Sequence, residues 1–171
     1  MQQRSLEVTV ISGEDLRLGR KPVSKDVSVV VKTDFGCGYR CTTKVADAEG
    51  SGIGPQWDEK LASLPLQWDN RGVIALEVKC RTQLGDERLV GAARVPLSDF
   101  LGGYAPENHL HFLSYRLRDS IGQRNGIINF SARVKAPGKG SEVGGPSGSG
   151  GVAVGIPVWS VKSHVSKQYE Y

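Results

Sequence analysis

The dominant pattern along the chain is an alternation of apolar and polar positions with a period of two. The apolar positions of four such runs are Leu6, Val8 and Val10; Val27, Val29 and Val31; Ile74, Leu76 and Val78; and Ile128, Phe130, Ala132 and Val134. Successive side chains of a strand point to opposite faces, so each run predicts a strand with one face on a core.

Residues typical of turns separate these runs. They occur at 36–38, 47–55, 69–72, 102–103 and 124–126. About eight short strands with turn residues between them, and almost no helical periodicity, predict an all-β, eight-stranded antiparallel sandwich. The one helical turn predicted begins at Ser98, after Pro96, and runs through Leu101.

The composition changes near residue 135. Residues 136–171 contain eight glycines, most of them around Gly144–Gly151. Such a segment cannot bury enough apolar surface to offset chain entropy, which predicts a disordered, flexible tail. We therefore predict two regions, a folded domain over 1–135 and a Gly/Ser/Pro-rich tail over 136–171, with a short apolar patch at 151–159.

Charge, apolar run length and cysteine spacing limit the possible partners, location and metal sites of the chain. The formal net charge is +4, which permits but does not require an anionic partner. No apolar run approaches the roughly 18 residues of a membrane span, and the first residues lack a secretory pattern, so we expect a cytoplasmic protein. Cys37, Cys41 and Cys80 lack the spacing of a zinc site and are expected to be incidental thiols.

Several motifs, in order, resemble the consensus of the C2 domain family. The run from Leu6 to Leu16 matches L-x-V-x-V…A-x-x-L, Asp26-Val27-Ser28-Val29 stands at D-P-Y-V, and Gly54-Pro55-Gln56-Trp57-Asp58-Glu59 stands at N-P-x-W-N-E. Leu76-Glu77-Val78 and Val90-Gly91 match the later L-x-V-x-D-x-D and I-G. The resemblance covers roughly residues 4–135. The strand-like run 126–134 at the end of the domain resembles the circular arrangement called type II.

The glycine-rich tail extends the resemblance to small plant C2 proteins of the copine-associated (BONZAI-associated) and cold-responsive kind. That resemblance implies a copine as protein partner and a role in plant defence or stress signalling. In the tail we expect Val154, Ile156, Val158 and Trp159 to bind the partner.

The family's calcium-binding loops carry about five aspartates, since calcium takes 6–8 oxygen ligands. The matching positions here are Arg20, Asp26, Cys80, Thr82 and Arg88. One aspartate remains and two positions carry positive charge. If the alignment is shifted by two residues, Asp86 and Glu87 also fall on calcium-ligand positions. We expect no metal site and no cofactor. We expect the loops to bind anions directly, without calcium.

Cations occupy the same loops. The first loop carries Arg17, Arg20, Lys21 and Lys25, and the third carries Arg81 and Arg88. In a C2 fold these loops meet at one tip, which predicts a binding site for anionic phospholipid headgroups there. A second stripe, which resembles the family's lysine-rich groove, consists of Lys32, Arg40, Lys44 and Lys79. The alternative is that the cations of both groups are ordinary solvated charges offset by Glu14, Asp15, Asp34, Asp86 and Glu87. Only Val23 and Leu84 offer apolar side chains at the tip.

The sequence thus predicts a non-enzymatic, calcium-independent module, peripheral at the plasma membrane, that binds anionic phospholipids and recruits a protein. No catalytic motif is present in the chain. Nucleic-acid binding is disfavoured because aromatic residues do not interleave with the cations. The alternative is a pure protein–protein adaptor with incidental lipid contact. A contiguous basic tip favours lipid, whereas a basic face interrupted by carboxylates favours the adaptor.

Overall fold

The computed structural model describes residues 4–35, 38–48, 54–61, 63–66, 71–101 and 108–136. These residues form eleven strands and one helical turn. The strands are β1 (Ser5–Glu14), β2 (Arg17–Leu18), β3 (Lys21–Pro22), β4 (Val27–Thr33), β5 (Arg40–Thr42), β6 (Gln56–Lys60), β7 (Leu64–Pro65), β8 (Val73–Arg81), β9 (Glu87–Pro96), β10 (Leu110–Arg118) and β11 (Arg124–Lys135). The predicted helical turn is α1 (Ser98–Leu101).

Eight strands follow one hydrogen-bonded order, β5-β4-β8-β9-β10-β11-β1-β6, and all of their pairings are antiparallel. The two halves of this order, β5 to β9 and β10 to β6, join where Arg118 pairs with Ala92. The two-residue strand β7 pairs with β1, and β2 pairs with β3 as a separate hairpin. The predicted eight-stranded antiparallel sandwich is confirmed.

The first strand lies beside the last. β1 pairs with β11 from Ser5↔Lys135 to Glu14↔Ile127, with a bulge between Val10 and Ser12. This is the circular arrangement expected of type II, in which the C-terminal strand completes the sheet next to the N-terminal one.

The core is built from the predicted inward faces. Leu6, Val8, Val10, Ile74 and Phe130 have no exposed surface. The inward residues of β4 and β8 join them in one apolar cluster. Each such side chain contributes roughly 1.5–3 kcal/mol on burial, so the period-two residues supply most of the apolar stabilisation of the sandwich.

Three outward-facing positions are nevertheless buried, and one of them is Ser131, between Phe130 and Ala132, which is 5% exposed. Glu7, which alternates with Leu6 and Val8, is 5% exposed, and Val30, which alternates with Val29 and Val31, is 2% exposed. Each lies in a strand that is paired on both sides, and long cationic side chains of β6 and β11 cover Glu7. Periodicity assigned the face of each residue correctly but not its burial.

Residues 137–171 lie outside the described residues, as does Cys37. The predicted tail, its apolar patch and the domain boundary near residue 135 therefore stay predictions. β11 itself ends at Lys135. Across the part of the chain that the structure describes, no helix is long and apolar enough to cross a membrane.

Candidate functional site

The loops that carry the predicted cations meet at one end of the sandwich. The backbone N–H of Arg81, at the end of β8, donates to the carbonyl of Asp26, at the end of the first loop, over 3.0 Å. The Asp26 N–H in turn donates to the carboxylate of Asp47 over 2.7 Å. Three separate parts of the chain are thereby joined at this end, as the sequence predicted for the first and third loops.

One buried side chain joins the first loop to both halves of the strand order, at β11 and at β9. Asn125, at the start of β11, accepts the N–H of Arg17 over 3.0 Å and donates to the Arg17 carbonyl over 2.6 Å. Its amide also donates to the carbonyl of Val90 in β9 over 2.6 Å. Asn125 is 8% exposed, so water cannot readily replace these bonds. It therefore fixes the position of the β2–β3 hairpin.

The hairpin carries three of the predicted cations. Arg17 pairs with Pro22 and Leu18 with Lys21, and Gly19 makes the turn with a φ of 64°. Arg20 follows Gly19 at the tip of the turn, where nothing lies within 4 Å of the position a Cβ on Gly19 would occupy. The hairpin therefore projects its cations into solvent.

We call the six loop cations the basic tip: Arg17, Arg20, Lys21, Lys25, Arg81 and Arg88. All are exposed. Arg17 forms an ion pair with Asp15 at 2.9 Å. The other five form no ion pair with any residue that the structure describes. Asp26 and Asp86 are exposed at the same end, so the tip has an excess of positive charge without being free of carboxylates.

The second predicted group, the sheet stripe of Lys32, Arg40, Lys44 and Lys79, is arranged differently. Lys32 stands directly opposite Arg40 on β4 and β5. However, Lys32 contacts Glu77 at 2.6 Å and Lys79 contacts Glu87 at 3.5 Å. Arg40 and Lys44 remain exposed, so carboxylates neutralise about half of this stripe.

The side chains at the aligned calcium positions supply a carboxylate only at Asp26. Cys80 belongs to the apolar core and is 6% exposed. Burial raises the pKa of its thiol, although the Arg88 guanidinium opposes the shift, so Cys80 holds its proton. The Thr82 hydroxyl is buried without a hydrogen-bond partner. Among the described residues, no group of three His, Cys, Asp or Glu side chains could hold a metal ion.

Apolar exposure at the tip differs from the sequence prediction. Leu84 is 90% exposed, as expected, but Val23 is half-buried and packs against the core. Ile121, in the turn between β10 and β11, is 75% exposed and was missed. That turn borders an open cleft of about 290 Å³ with the β2–β3 hairpin, and Arg17 and Arg124 both line the cleft. The sequence signal that could have revealed this exposure is an isoleucine next to a glycine in an otherwise polar turn.

A further cation cluster, also missed, lies on the outer face of β1, β6 and β11. Lys135, Lys60 and Arg133 contact the Glu7 carboxylate at 2.6, 2.7 and 2.7 Å. Burial favours the protonated form of Glu7, but the hydrogen bonds of the three cations outweigh burial and lower its pKa from 4.5 to about 2. This cluster ties three strands together, and we interpret it as structural.

Comparisons with known proteins agree with this architecture. A family model of the C2 domain matches residues 4–112. BON1-associated protein 2 of Arabidopsis thaliana is 41% identical over 153 residues, which cover 88% of this chain and 71% of that protein.

Solved structures show the same fold at low identity. A C2 domain of plant Extended Synaptotagmin 1 superposes with a TM-score of 0.62 at 17% identity, over 79% of this chain and 95% of that one. Human GIVD cytosolic phospholipase A2 gives a TM-score of 0.60 at 13% identity, over 79% of this chain and 17% of that one. With the family model and the plant relative, these similarities show that the chain belongs to the C2 domain family.

Proposed function

We propose that this C2 domain attaches to anionic phospholipid membranes through the basic tip, without calcium and without catalysis, and recruits a protein partner to the plasma membrane from the cytoplasmic side. The observation that carries the proposal is the group of five exposed tip cations that have no ion-pair partner among the described residues. Unpaired charge in loops contributes little to folding and is available to a ligand.

The size of the electrostatic attraction supports membrane attachment. A cation close to an anionic bilayer contributes about 1 kcal/mol, so the basic tip supplies several kcal/mol when its residues contact headgroups together. The attraction falls within a Debye length, about 8 Å at physiological salt. Binding is therefore expected to weaken as salt rises.

Calcium independence rests on the side chains at the aligned positions. Arg20 and Arg88 would repel a divalent cation, and the thiol of Cys80 packs in the core. Calcium prefers anionic oxygen ligands, of which Asp26 alone remains at these five positions. We expect calorimetric titration to show no calcium binding and chelator to leave vesicle binding unchanged. A dissociation constant below about 100 μM would contradict this part of the proposal.

The membrane proposal is tested by removing tip charges. Arg20 and Arg88 are replaced together by alanine, and a matched control replaces two exposed cations at the other end of the strands, Arg71 and Arg94. We expect the tip variant to lose binding to vesicles of phosphatidylcholine and phosphatidylserine by about tenfold or more, while the control binds as the wild type does. If both variants lost vesicle binding equally, the loss would be due to the lower net charge and not to the basic tip.

The proposed partner is a copine, and the proposed process is plant defence or stress signalling. Both come from the resemblance to the copine-associated plant proteins, and the name of the relative BON1-associated protein 2 supports an association with BON1. The proposed contact residues, Val154, Ile156, Val158 and Trp159, lie outside the described residues.

Truncation tests the role of the tail. Because Lys135 contacts Glu7 at 2.6 Å, the cut belongs after Ala136 rather than after Val134. We expect the truncated chain to stay folded and to bind vesicles but to lose copine in a pull-down. Trp159→Ser in the full chain is the point-mutation counterpart. A fall in melting temperature of about 10 °C on truncation would show instead that the tail stabilises the domain.

The second candidate function is a pure protein–protein adaptor. The pairing of Lys32 with Glu77 and of Lys79 with Glu87 favours it, because that basic face is interrupted by carboxylates. Unchanged vesicle binding in the tip variant, together with intact copine capture, would select this candidate over membrane attachment.

A further inference from the structure

Strand β10 has one side without a partner strand over most of its length. On the opposite side, residues 110–116 pair with β11 without a break in register. The pairing of β10 with β9 is limited to Arg118↔Ala92, where the two halves of the strand order join. No backbone hydrogen bond from another described residue reaches residues 110–116 on the β9 side. We call the unpaired side of residues 110–116 the β10 edge.

The backbone groups that face the β10 edge follow from the hydrogen bonds at its end. The Asp119 N–H donates over 2.9 Å to the carbonyl of Gln123, which directly precedes β11. Backbone N–H and C=O groups alternate between the two sides of a strand, so the even-numbered residues of β10 direct theirs away from β11. The register shift after Arg116 places the extra residue on β11, which leaves this alternation undisturbed. The residues that offer donors and acceptors to an incoming strand are therefore Leu110, Phe112, Ser114 and Arg116.

Apolar side chains stand on the outer face of the sheet beside this edge. Phe112 is 72% exposed and Leu110, two positions before it, is 40% exposed. The residue paired with Phe112 on β11 is the small Ser131, which leaves the ring uncovered. A lone exposed apolar residue is ordinary, but two of them beside an unpaired strand edge are typical of a surface that binds another chain.

The other three edge strands are protected against pairing with another chain. β5 has three residues, and β6 is distorted at Asp58, which has a φ of 44°. β9 has a break in register between Leu89 and Gly91 and ends at Pro96. Short length, irregular backbone and proline are the features by which natural proteins prevent edge pairing. Residues 110–115 of β10 contain no proline, glycine, lysine or bulge.

Cations at both ends of the β10 edge indicate what kind of strand it fits. At one end Leu110 is paired with Arg133, one of three cations that surround the single carboxylate of Glu7. At the other end Arg116 and Arg118 are exposed. A second copy paired antiparallel would bring Arg116 of each copy beside the cationic cluster of the other, which is destabilising. A strand with apolar residues in its middle and carboxylates at both ends complements the edge.

We propose that the β10 edge binds an extended segment of a partner protein, which adds to the sheet as a further strand. Alternate apolar side chains of the segment cover Phe112 and Leu110, and its terminal carboxylates lie near Arg116 and Arg133. Main-chain hydrogen bonds supply affinity and the side chains supply selectivity, as in other cases of strand addition. The site uses neither the basic tip nor residues 151–159, so it goes beyond the proposed function and stands independently of membrane attachment.

The probe is a synthetic peptide, Asp-Glu-Val-Thr-Val-Thr-Val-Glu-Asp, which alternates valine and threonine between acidic ends. Its binding to the full chain is measured by fluorescence anisotropy of an attached dye. We expect saturable binding with a dissociation constant below about 1 mM, since ordering a flexible peptide offsets much of the contact energy. The same peptide with lysine at every acidic position should bind about tenfold more weakly, because its ends repel the flanking arginines.

Methylation of peptide nitrogens distinguishes strand addition from other apolar contact. One further peptide carries N-methyl groups on its valines and another carries them on its threonines. Since alternate N–H groups of an added strand face β10, we expect at least one of these peptides to bind about tenfold more weakly or worse. If both bind as well as the unmodified peptide, no strand is added and the inference is overturned.

Phe112→Thr in the full chain should bind the unmodified peptide about tenfold more weakly, the effect of about 1.4 kcal/mol of lost apolar burial. The matched control is Ile121→Thr, since Ile121 is 75% exposed in the turn after β10, and it should bind as the wild type does. Threonine is a good strand former, so melting temperatures should not change.

Three outcomes would overturn the inference. The wild type shows no binding at about 1 mM peptide, or the control loses as much affinity as Phe112→Thr, or sedimentation shows a wild-type dimer that Phe112→Thr converts to a monomer, which would assign the edge to a second copy. Vesicle binding of Phe112→Thr should equal that of the wild type, so failure here leaves the membrane proposal standing, and loss of vesicle binding in the tip variant leaves peptide binding unchanged.

Discussion

Replacing Asn125 by alanine should loosen the first loop and destabilise the whole domain. The change removes three hydrogen bonds: two to the backbone of Arg17 and one to the carbonyl of Val90. A net hydrogen bond contributes about 1 kcal/mol, and a buried group left without a partner costs roughly 1–3 kcal/mol. Since Asn125 is 8% exposed and alanine leaves no donor in its place, we expect a loss of about 3 kcal/mol.

Asn129 is the matched control on the same strand. It also makes three side-chain hydrogen bonds, but its partners are the side chains of Ser12, Glu14 and Ser114. Two of those three bonds are exposed to solvent, so water replaces them after substitution. We therefore expect Asn129→Ala to cost less than about 1 kcal/mol.

Urea denaturation of the wild type and both variants gives the free energies of unfolding. In thermal denaturation the Asn125 variant should melt roughly 10 °C lower. Amide hydrogen exchange adds a local measurement, since the Arg17 N–H loses its acceptor and should exchange faster in the Asn125→Ala variant alone. Equal free energies of unfolding in the two variants would refute the reasoning, because burial of the bonded partners is the feature that distinguishes them.

Three further predictions concern stability and reactivity. The pKa of Glu7 is lowered from 4.5 to about 2, so its ionised form stabilises the fold above pH 4.5 and the benefit is lost as pH falls toward 2. Glu7→Gln should therefore cost up to about 3 kcal/mol at pH 7 and almost nothing near pH 2, measured by denaturation across that range; a difference independent of pH would contradict it. Gly126→Ala should destabilise far more than Gly19→Ala, because both have a positive φ but only at Gly126 would a Cβ lie 2.6 Å from a backbone oxygen of β1; equal losses in melting temperature would show that crowding does not matter. Native-state alkylation followed by mass spectrometry should label half-buried Cys41 before Cys80, whose thiol pKa is raised by burial; the reverse order would contradict the burial of Cys80.

The fold follows largely from local patterns in the sequence. Period-two alternation placed Leu6, Val29 and Phe130 in the core, and turn residues separated the strands. The short helical turn at Ser98 was also predictable, since Pro96 ends β9 just before it. These features are local, because a strand's alternation and a turn's chemistry depend on residues close together in the chain.

The candidate site was predicted only in part. The cations of the basic tip were found because loops adjoining strand ends can be read from the chain. The pairing of Lys32 with Glu77 was not foreseen, because it depends on the register of β4 against β8. Inward packing of Val23 and exposure of Ile121 likewise depend on how each loop lies against the sheets.

The amino-acid sequence alone specified the main strands, the family and the loops that carry the basic-tip cations, since each of these depends on composition and spacing along the chain. Contacts between distant residues specified the rest. Asn125 and Arg17 are 108 positions apart and Arg133 and Glu7 are 126 apart, yet each pair is hydrogen-bonded in the folded domain. Burial, ion pairing and pKa are properties of such juxtapositions, so no linear pattern contains them.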